Sequence, residues 1–158
     1  MLLIGLGCSI ANAAAIRPID LRCEYLANPE GIDALAPRLS WSLESNDPAA
    51  RGLAQSAFQI LVASTPALLD TDTGDLWDSG QIMSDASLQH AYAGSPLATG
   101  MRVYWKVRAW NGAGEAGPWS ETPPWSMGLL APEHWAARWL GVAGAAPARP
   151  TPPSPVTP

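Results

Sequence analysis

The side chains with the most chemical potential in this 158-residue chain are its fourteen carboxylates. Asp70, Asp72, Gly74, Asp75 and Asp78 invite comparison with a calcium-binding loop. An EF-hand loop needs Gly at its sixth position and a bidentate Glu at its twelfth. Counted from Asp70, those positions hold Asp75 and Gln81, so the pattern fails and the stretch is read as a solvated turn. A glycosidase needs two carboxyl groups facing one cleft. Glu115 and Glu121 are the pair that a small sandwich could display together, but they are read as surface carboxylates. His90 and His134 are the only histidines, and neither has zinc-ligand spacing. Cys23 sits on an apolar strand face with no nearby His, and reads as a small buried hydrophobe. On this reading the chain carries no catalytic, cofactor-binding or metal-binding residue.

A different kind of candidate lies between residues 102 and 119. Val103, Trp105, Val107 and Ala109 alternate with Arg102, Tyr104, Lys106, Arg108 and Trp110. A period of two is the mark of a half-buried strand, because successive side chains leave a pleated sheet on opposite sides. The first set is ordinary core. The second mixes cations with large aromatics that a solvated face does not need. Tyr104, Lys106, Arg108 and Trp110, joined by Trp119, therefore form the candidate surface. Three uses stay open: burial under the chain's own loops such as 94–100, docking of a neighbouring domain, or stacking on sugar rings.

The elements that would position this surface are short strands. Sixteen Pro and fourteen Gly punctuate the chain, and helix-favouring runs are scarce. Strands are expected at 19–25, 38–43, 56–64, 76–80, 89–92, 102–111 and 118–127. Leu21, Cys23 and Tyr25 should point inward from the first, Leu39, Trp41 and Leu43 from the second, and Phe58, Ile60 and Val62 from the third. One helical turn is expected at 65–69, where Thr65 precedes Pro66. About seven strands over little more than a hundred residues predict an all-β, immunoglobulin-like sandwich. Trp41, Trp77 and Trp105 supply its core volume.

Residues 1–15 read as a secretory leader, with apolar Leu2–Leu6 and a small-x-small cleavage site near Ala13. The expected location is therefore periplasmic or secreted. The leader is too short to span a membrane, which takes about 20 apolar residues. A formal charge of −5 and nine dispersed Lys and Arg argue against a nucleic-acid partner. The sandwich is expected over 16–130, the start of a following β-domain over 131–143, and a disordered Pro-rich tail over 144–158.

Two nested resemblances emerge. Trp41 on the second strand, and Val107, Ala109, Asn111 and Gly114 followed by Ser120, resemble the fibronectin type III superfamily. A more specific set resembles the N-terminal domain of bacterial alpha-L-rhamnosidases. It comprises Asn28-Pro29-x-Gly31-Ile32-Asp33, Pro37-Arg38-Leu39-Ser40-Trp41, Ala57-Phe58-Gln59-Ile60, Leu76-Trp77-Asp78-Ser79-Gly80, Tyr104-Trp105-Lys106-Val107-Arg108 and Trp135-x-Ala137-x-Trp139. That family consists of multidomain enzymes that remove terminal alpha-L-rhamnose with inversion. Their catalytic carboxylates stand on an (alpha/alpha)-barrel that follows the β-domains, about 6.5–9.5 Å apart. The resemblance thus implies a non-catalytic accessory module on a truncated or frameshifted chain, inactive alone, whose partners are the downstream domains and carbohydrate. The alternative is a free-standing secreted module that binds carbohydrate or protein.

Overall fold

The computed structural model describes residues 15–135, apart from 46, 48 and 50. The leader expected over 1–15 (Ala15 excepted) and the Pro-rich tail lie outside the described residues. So does the expected following domain beyond residue 135.

Two antiparallel sheets face each other. The smaller holds β1 (Ile16–Cys23), β2 (Arg38–Ser45) and β6 (His90–Ala91), in the order β1-β2-β6. The larger is built on β3 (Gln55–Ala63) and β7 (Arg102–Asn111). On its far side β3 pairs with both β4 (Trp77–Asp78) and β5 (Ile82–Met83), and β7 pairs with β8 (Pro124–Ser126). Because β4 and β5 flank the same side of β3, they act as one interrupted edge strand around Gly80, at φ +60°. Seven structural strands result, as the spacing of turns predicts. A short helix, α1 (Pro66–Asp70), follows β3. A 3-10 turn spans Pro132–His134.

The strand patterns place the core as expected, with two exceptions. Leu39, Trp41, Phe58, Ile60, Val62, Val103, Trp105 and Val107 are all buried in one cluster between the sheets. Tyr25 is not among them and is 59% exposed. The chain leaves β1 at Cys23 and turns through Glu24 and Tyr25, both at positive φ, so the alternation stops two residues early. Trp125 replaces Trp77 as the third fully buried tryptophan, Trp77 being only partly covered at the rim of the cluster.

The core's polar groups differ in how well they are met. Trp41 donates its indole N–H to Gln55 Oε1 at 3.0 Å inside the core. Its ring also stacks on His90, with centroids 5.0 Å apart, and meets the edge of Phe58 at 5.1 Å. Trp125 touches Tyr92 and Trp105 edge-on, and its indole N–H has no hydrogen-bond partner among the described residues. A lost buried hydrogen bond leaves the surviving acceptor desolvated, at ~1–3 kcal/mol. Trp41→Phe should therefore destabilise more than Trp125→Phe by about that margin, since both shrink the side chain alike. Urea unfolding of the two variants, followed by tryptophan fluorescence and far-UV circular dichroism, measures the difference. Equal losses would mean that the Trp41–Gln55 bond contributes nothing.

Candidate functional site

The outer face of β7 is set by its register with β3. Tyr104 lies opposite Ala63, Lys106 opposite Leu61, Arg108 opposite Gln59 and Trp110 opposite Ala57. Each long side chain of β7 thus faces a shorter neighbour and can lie flat across the sheet. Beyond β7, Ser120 locks the returning segment in place. Its backbone N–H bonds to the Val107 carbonyl at 2.9 Å, and its Oγ accepts from the Val107 N–H at 3.0 Å. That bond pair brings Trp119 over the cations.

The face has a cover of its own. After β3 the chain passes Ser64 and folds α1 back across the sheet, with Pro66 in its first turn. Leu69 is 1% exposed and packs on Leu61 and Ala63, with Leu68, Tyr104 and Trp119 around it. This second, small core lies outside the sandwich. The loop over 94–100, one of the covers left open by the sequence, belongs to the main core. Leu97 is buried there, and Gly94 is pressed against Leu76, Trp77 and Tyr92. The reason is that Tyr92 enters the core and its hydroxyl donates to the Ser95 carbonyl at 2.7 Å, turning the loop inward.

Lys106 is the pivot of the face. It is only 6% exposed, although a charged side chain avoids burial unless it is paired. Its ammonium donates to the Leu69 carbonyl and to the Asp72 carboxylate. Leu69 lies in the last turn of α1, where carbonyls lack partners within the helix. The ammonium also stands 4.6 Å from the ring centre of Trp119. The Arg108 guanidinium lies 4.6 Å from the same ring and 4.9 Å from that of Trp110, geometry that attracts a cation to an aromatic face. Arg108 also donates twice to Gln59 Oε1, at 2.7 and 3.1 Å, and Gln59 donates to Asp78 Oδ1 at 2.7 Å. A polar row therefore crosses β7, β3 and β4. The Lys106 hydrogen bond is the main cause holding the Asp72 carboxyl below its ordinary pKa.

All five residues singled out from sequence thus meet on one face. Tyr104, Arg108, Trp110 and Trp119 are half-buried, whereas Lys106 is buried beneath α1 and Trp119 and serves the fold. Sequence reasoning missed Gln59, Asp72 and Asp78 as members. Asp72 and Asp78 carried a signal, because they lie in the acidic stretch that failed as a calcium loop. The acids of that stretch are exposed, as expected of a solvated turn, and Asp72, Asp75 and Asp78 also accept structural hydrogen bonds. Asp75 accepts from the backbone N–H and the hydroxyl of Ser64, at 2.9 and 2.7 Å. Among the described residues, no group of three or more His, Cys, Asp or Glu side chains is placed to hold a metal ion.

The remaining candidates are scattered. Glu115 accepts from the Asn111 side chain at 2.9 Å in the turn after β7, while Glu121 lines a groove beside β1. His90 lies against Trp41 and Phe58, and His134 pairs with the Thr99 hydroxyl at 2.6 Å. Cys23 is 2% exposed, and burial, with the Glu24 charge beside it, pushes its thiol up to about 12.

Residues 18–131 match the family model described as the Rha78A-like, N-terminal immunoglobulin domain. The chain belongs to that family. It is 42% identical to an alpha-L-rhamnosidase of Streptomyces avermitilis over 127 residues, covering 80% of this chain and 12% of that enzyme. An alpha-L-rhamnosidase of Formosa agariphila is 39% identical over 120 residues, covering 75% and 12%. Of solved structures, the Streptomyces avermitilis enzyme complexed with L-rhamnose superposes with a TM-score of 0.74 over 80% of this chain and 12% of that one. The alpha-L-rhamnosidase of Dictyoglumus thermophilum superposes with a TM-score of 0.72 at 33% identity, covering 77% and 13%. The chain therefore spans about an eighth of the length of the relatives it matches.

Three outcomes follow from the site. Lys106→Met removes the ammonium but keeps the apolar stem, leaving the Leu69 carbonyl and Asp72 without it. A loss of ~1–3 kcal/mol is expected, less than for a fully buried pair because Asp72 is largely exposed. Chemical denaturation measures it. Asp72 and Glu24 both have lowered pKa values, through hydrogen bonds from Lys106 and Arg38 respectively. A lowered carboxyl pKa contributes stability above the ordinary carboxylate range and loses it as pH falls through the folded-state value. The denaturation midpoint should thus drop below about pH 4, and Asp72→Asn should flatten part of that drop. Cys23 should resist thiol-modifying reagents in the native chain and react on unfolding, which peptide mapping by mass spectrometry reads directly.

Proposed function

We propose that this chain serves as the N-terminal, non-catalytic module of an alpha-L-rhamnosidase, with hydrolysis of terminal alpha-L-rhamnose carried out by domains that follow it. The observation that carries the reading is the match to enzymes of that name at 36–42% identity, confined to 12–13% of their length. An apolar leader-like stretch at Leu2–Leu6 supports secretion or export to the periplasm. No helix among the described residues is long and apolar enough to cross a membrane.

The outer face of β7 is the proposed docking surface for those domains. Half-buried Tyr104, Arg108, Trp110 and Trp119 combine aromatic area with one guanidinium, a composition enriched at protein interfaces. Lys106 contributes from below by holding α1 and Trp119 in position. Sugar stacking is the less favoured use of this face, because Arg108 already lies over both Trp110 and Trp119.

The purified 158-residue chain is expected to release no nitrophenol from a chromogenic alpha-L-rhamnoside. Release at a rate above a boiled control would sink the non-catalytic reading. A chimera in which residues 18–131 replace the matching domain of the Streptomyces avermitilis enzyme should keep activity and a single unfolding transition. Adding Arg108→Glu and Trp110→Ala to that chimera should lower its melting temperature more than the same changes lower that of the isolated chain. Equal shifts would remove β7 as the docking face.

A further inference from the structure

Away from this face, a groove of about 540 Å³ opens between the edges of the two sheets. One wall is β1, an edge strand paired only with β2. The other is the segment leading into β8, the edge strand of the larger sheet. The gap is closed at one end by β1 itself and at the other by the turn that follows β1. At one end Gly117 is pressed against the Ile16 carbonyl so closely that a Cβ there would collide with it. At the other, Ser126 bonds to the Pro29 carbonyl at 3.0 Å and accepts from the Ile32 N–H at 2.9 Å. Between these closures β1 carries a bulge. Its pairing with β2 shifts register between Ile19 and Arg22, with Asp20 held at φ +50°. The bulge thus forms part of the wall of the gap, and bulges recur where a strand must re-aim its side chains beside a site.

The lining restricts the occupant. Pro18, Pro123 and Pro124 lack backbone N–H groups and the bulge breaks the ladder, so an added β-strand finds no regular partner. Asp20 and Glu121 both line the gap and disfavour an anion. Arg17, the cation of the lining, is bonded to Glu44 at 3.1 Å. Asp20 is held by Arg22 at 2.6 Å, which orients its carboxylate and leaves lone pairs to accept further hydrogen bonds. Asn28 adds an exposed amide and Thr122 a hydroxyl, while Ile19, Leu21 and the prolines add aliphatic surface. Hydroxyl-binding groups around an aliphatic wall, in a volume within the ~300–1,000 Å³ of small-ligand sites, suit a neutral polyol ring.

We infer that the gap between β1 and the segment before β8 is a saccharide-binding subsite, separate from the aromatic face of β7. Asp20, Asn28, Glu121 and Thr122 meet the sugar hydroxyls, and Ile19 and Pro123 meet its C–H face. The choice of saccharide over other polyols rests on the reading of the chain as part of a glycoside hydrolase; the gap and its bulge do not.

The test is a heteronuclear NMR titration of the full 158-residue chain with L-rhamnose, D-galactose and D-glucose in turn. At least one sugar should give saturable shifts, with a Kd of roughly 1–10 mM, centred on the amides of Ile19, Asp20, Asn28, Glu121 and Thr122. Asp20→Gly and Asn28→Gly remove the polar groups at positions of positive φ that glycine accepts, and each should weaken binding at least about tenfold. Ala27→Trp should fill the gap and do the same. The dispersion of each spectrum reports folding, and the wild-type shift map stands even if a variant unfolds. The proposal is overturned if no sugar gives saturable shifts, if the shifts centre on Trp110 and Trp119, or if folded variants bind as wild type does. Failure here leaves the chimera result untouched, and failure of the chimera leaves the shift map untouched.

Discussion

The pairing of β3 with β7 is the constraint on which the rest of this domain depends. It runs from Gln55 opposite Asn111 to Ala63 opposite Tyr104, the longest ladder of the larger sheet. Its inner face carries Phe58, Ile60, Val62, Trp105 and Val107 into the main core. Its outer face carries Leu61 and Ala63 beside Tyr104 and Lys106, and among the described residues no second sheet covers that side. The chain answers with α1 and Trp119. A change in register of one residue would exchange the two faces and expose both sets at once.

Lys106 shows how a polar group holds an otherwise minimal layer. Five residues of helix cannot stabilise themselves, since isolated helices need ~12–15 residues to be even marginal. The ammonium supplies a fixed point by meeting a helix-terminal carbonyl, the Asp72 carboxylate and the Trp119 ring together. Several partners are needed because a buried cation with one poor partner costs more than it contributes. Asp72 reaches its place through a left-handed backbone at φ +55°, a conformation that Asp tolerates better than most residues. The acidic stretch after α1 is thus a set of structural acceptors, with Asp72 on Lys106, Asp75 on Ser64 and Asp78 on Gln59.

The edges of the sandwich follow the same economy. Natural sheets blunt their edges with short strands, prolines and bulges. Here the edge beside β3 is split into two-residue strands, and the β8 edge starts at Pro124. The β1 edge is bent by its bulge and closed at Ile16 by Gly117. Protection against strand addition and the wall of a small-ligand gap come from the same residues.

Most strands were legible from alternation alone, because burial of one face imposes a period of two whatever the neighbours are. Arg102–Asn111 matches its expected span residue for residue, and Arg38–Ser45 differs only at its end. Ile82–Met83 was not legible, since two residues carry no period and pair only because β3 lies alongside. Tyr25 was misplaced because positive φ at Glu24 and Tyr25 leaves no reliable mark in the sequence at non-Gly residues. The motifs that tie the chain to its family were likewise readable without coordinates. By itself, then, the sequence determined the fold class, the family, the inner face of β7 and the membership of its outer face, all of which are local patterns. Only the tertiary structure decided that Lys106 is buried and Asp72 is its partner, that α1 and not the 94–100 loop covers the face, and that a gap opens beside β1. Those outcomes join residues 34 to about 100 positions apart, and it is packing between distant segments, not any local propensity, that sets which of them meet.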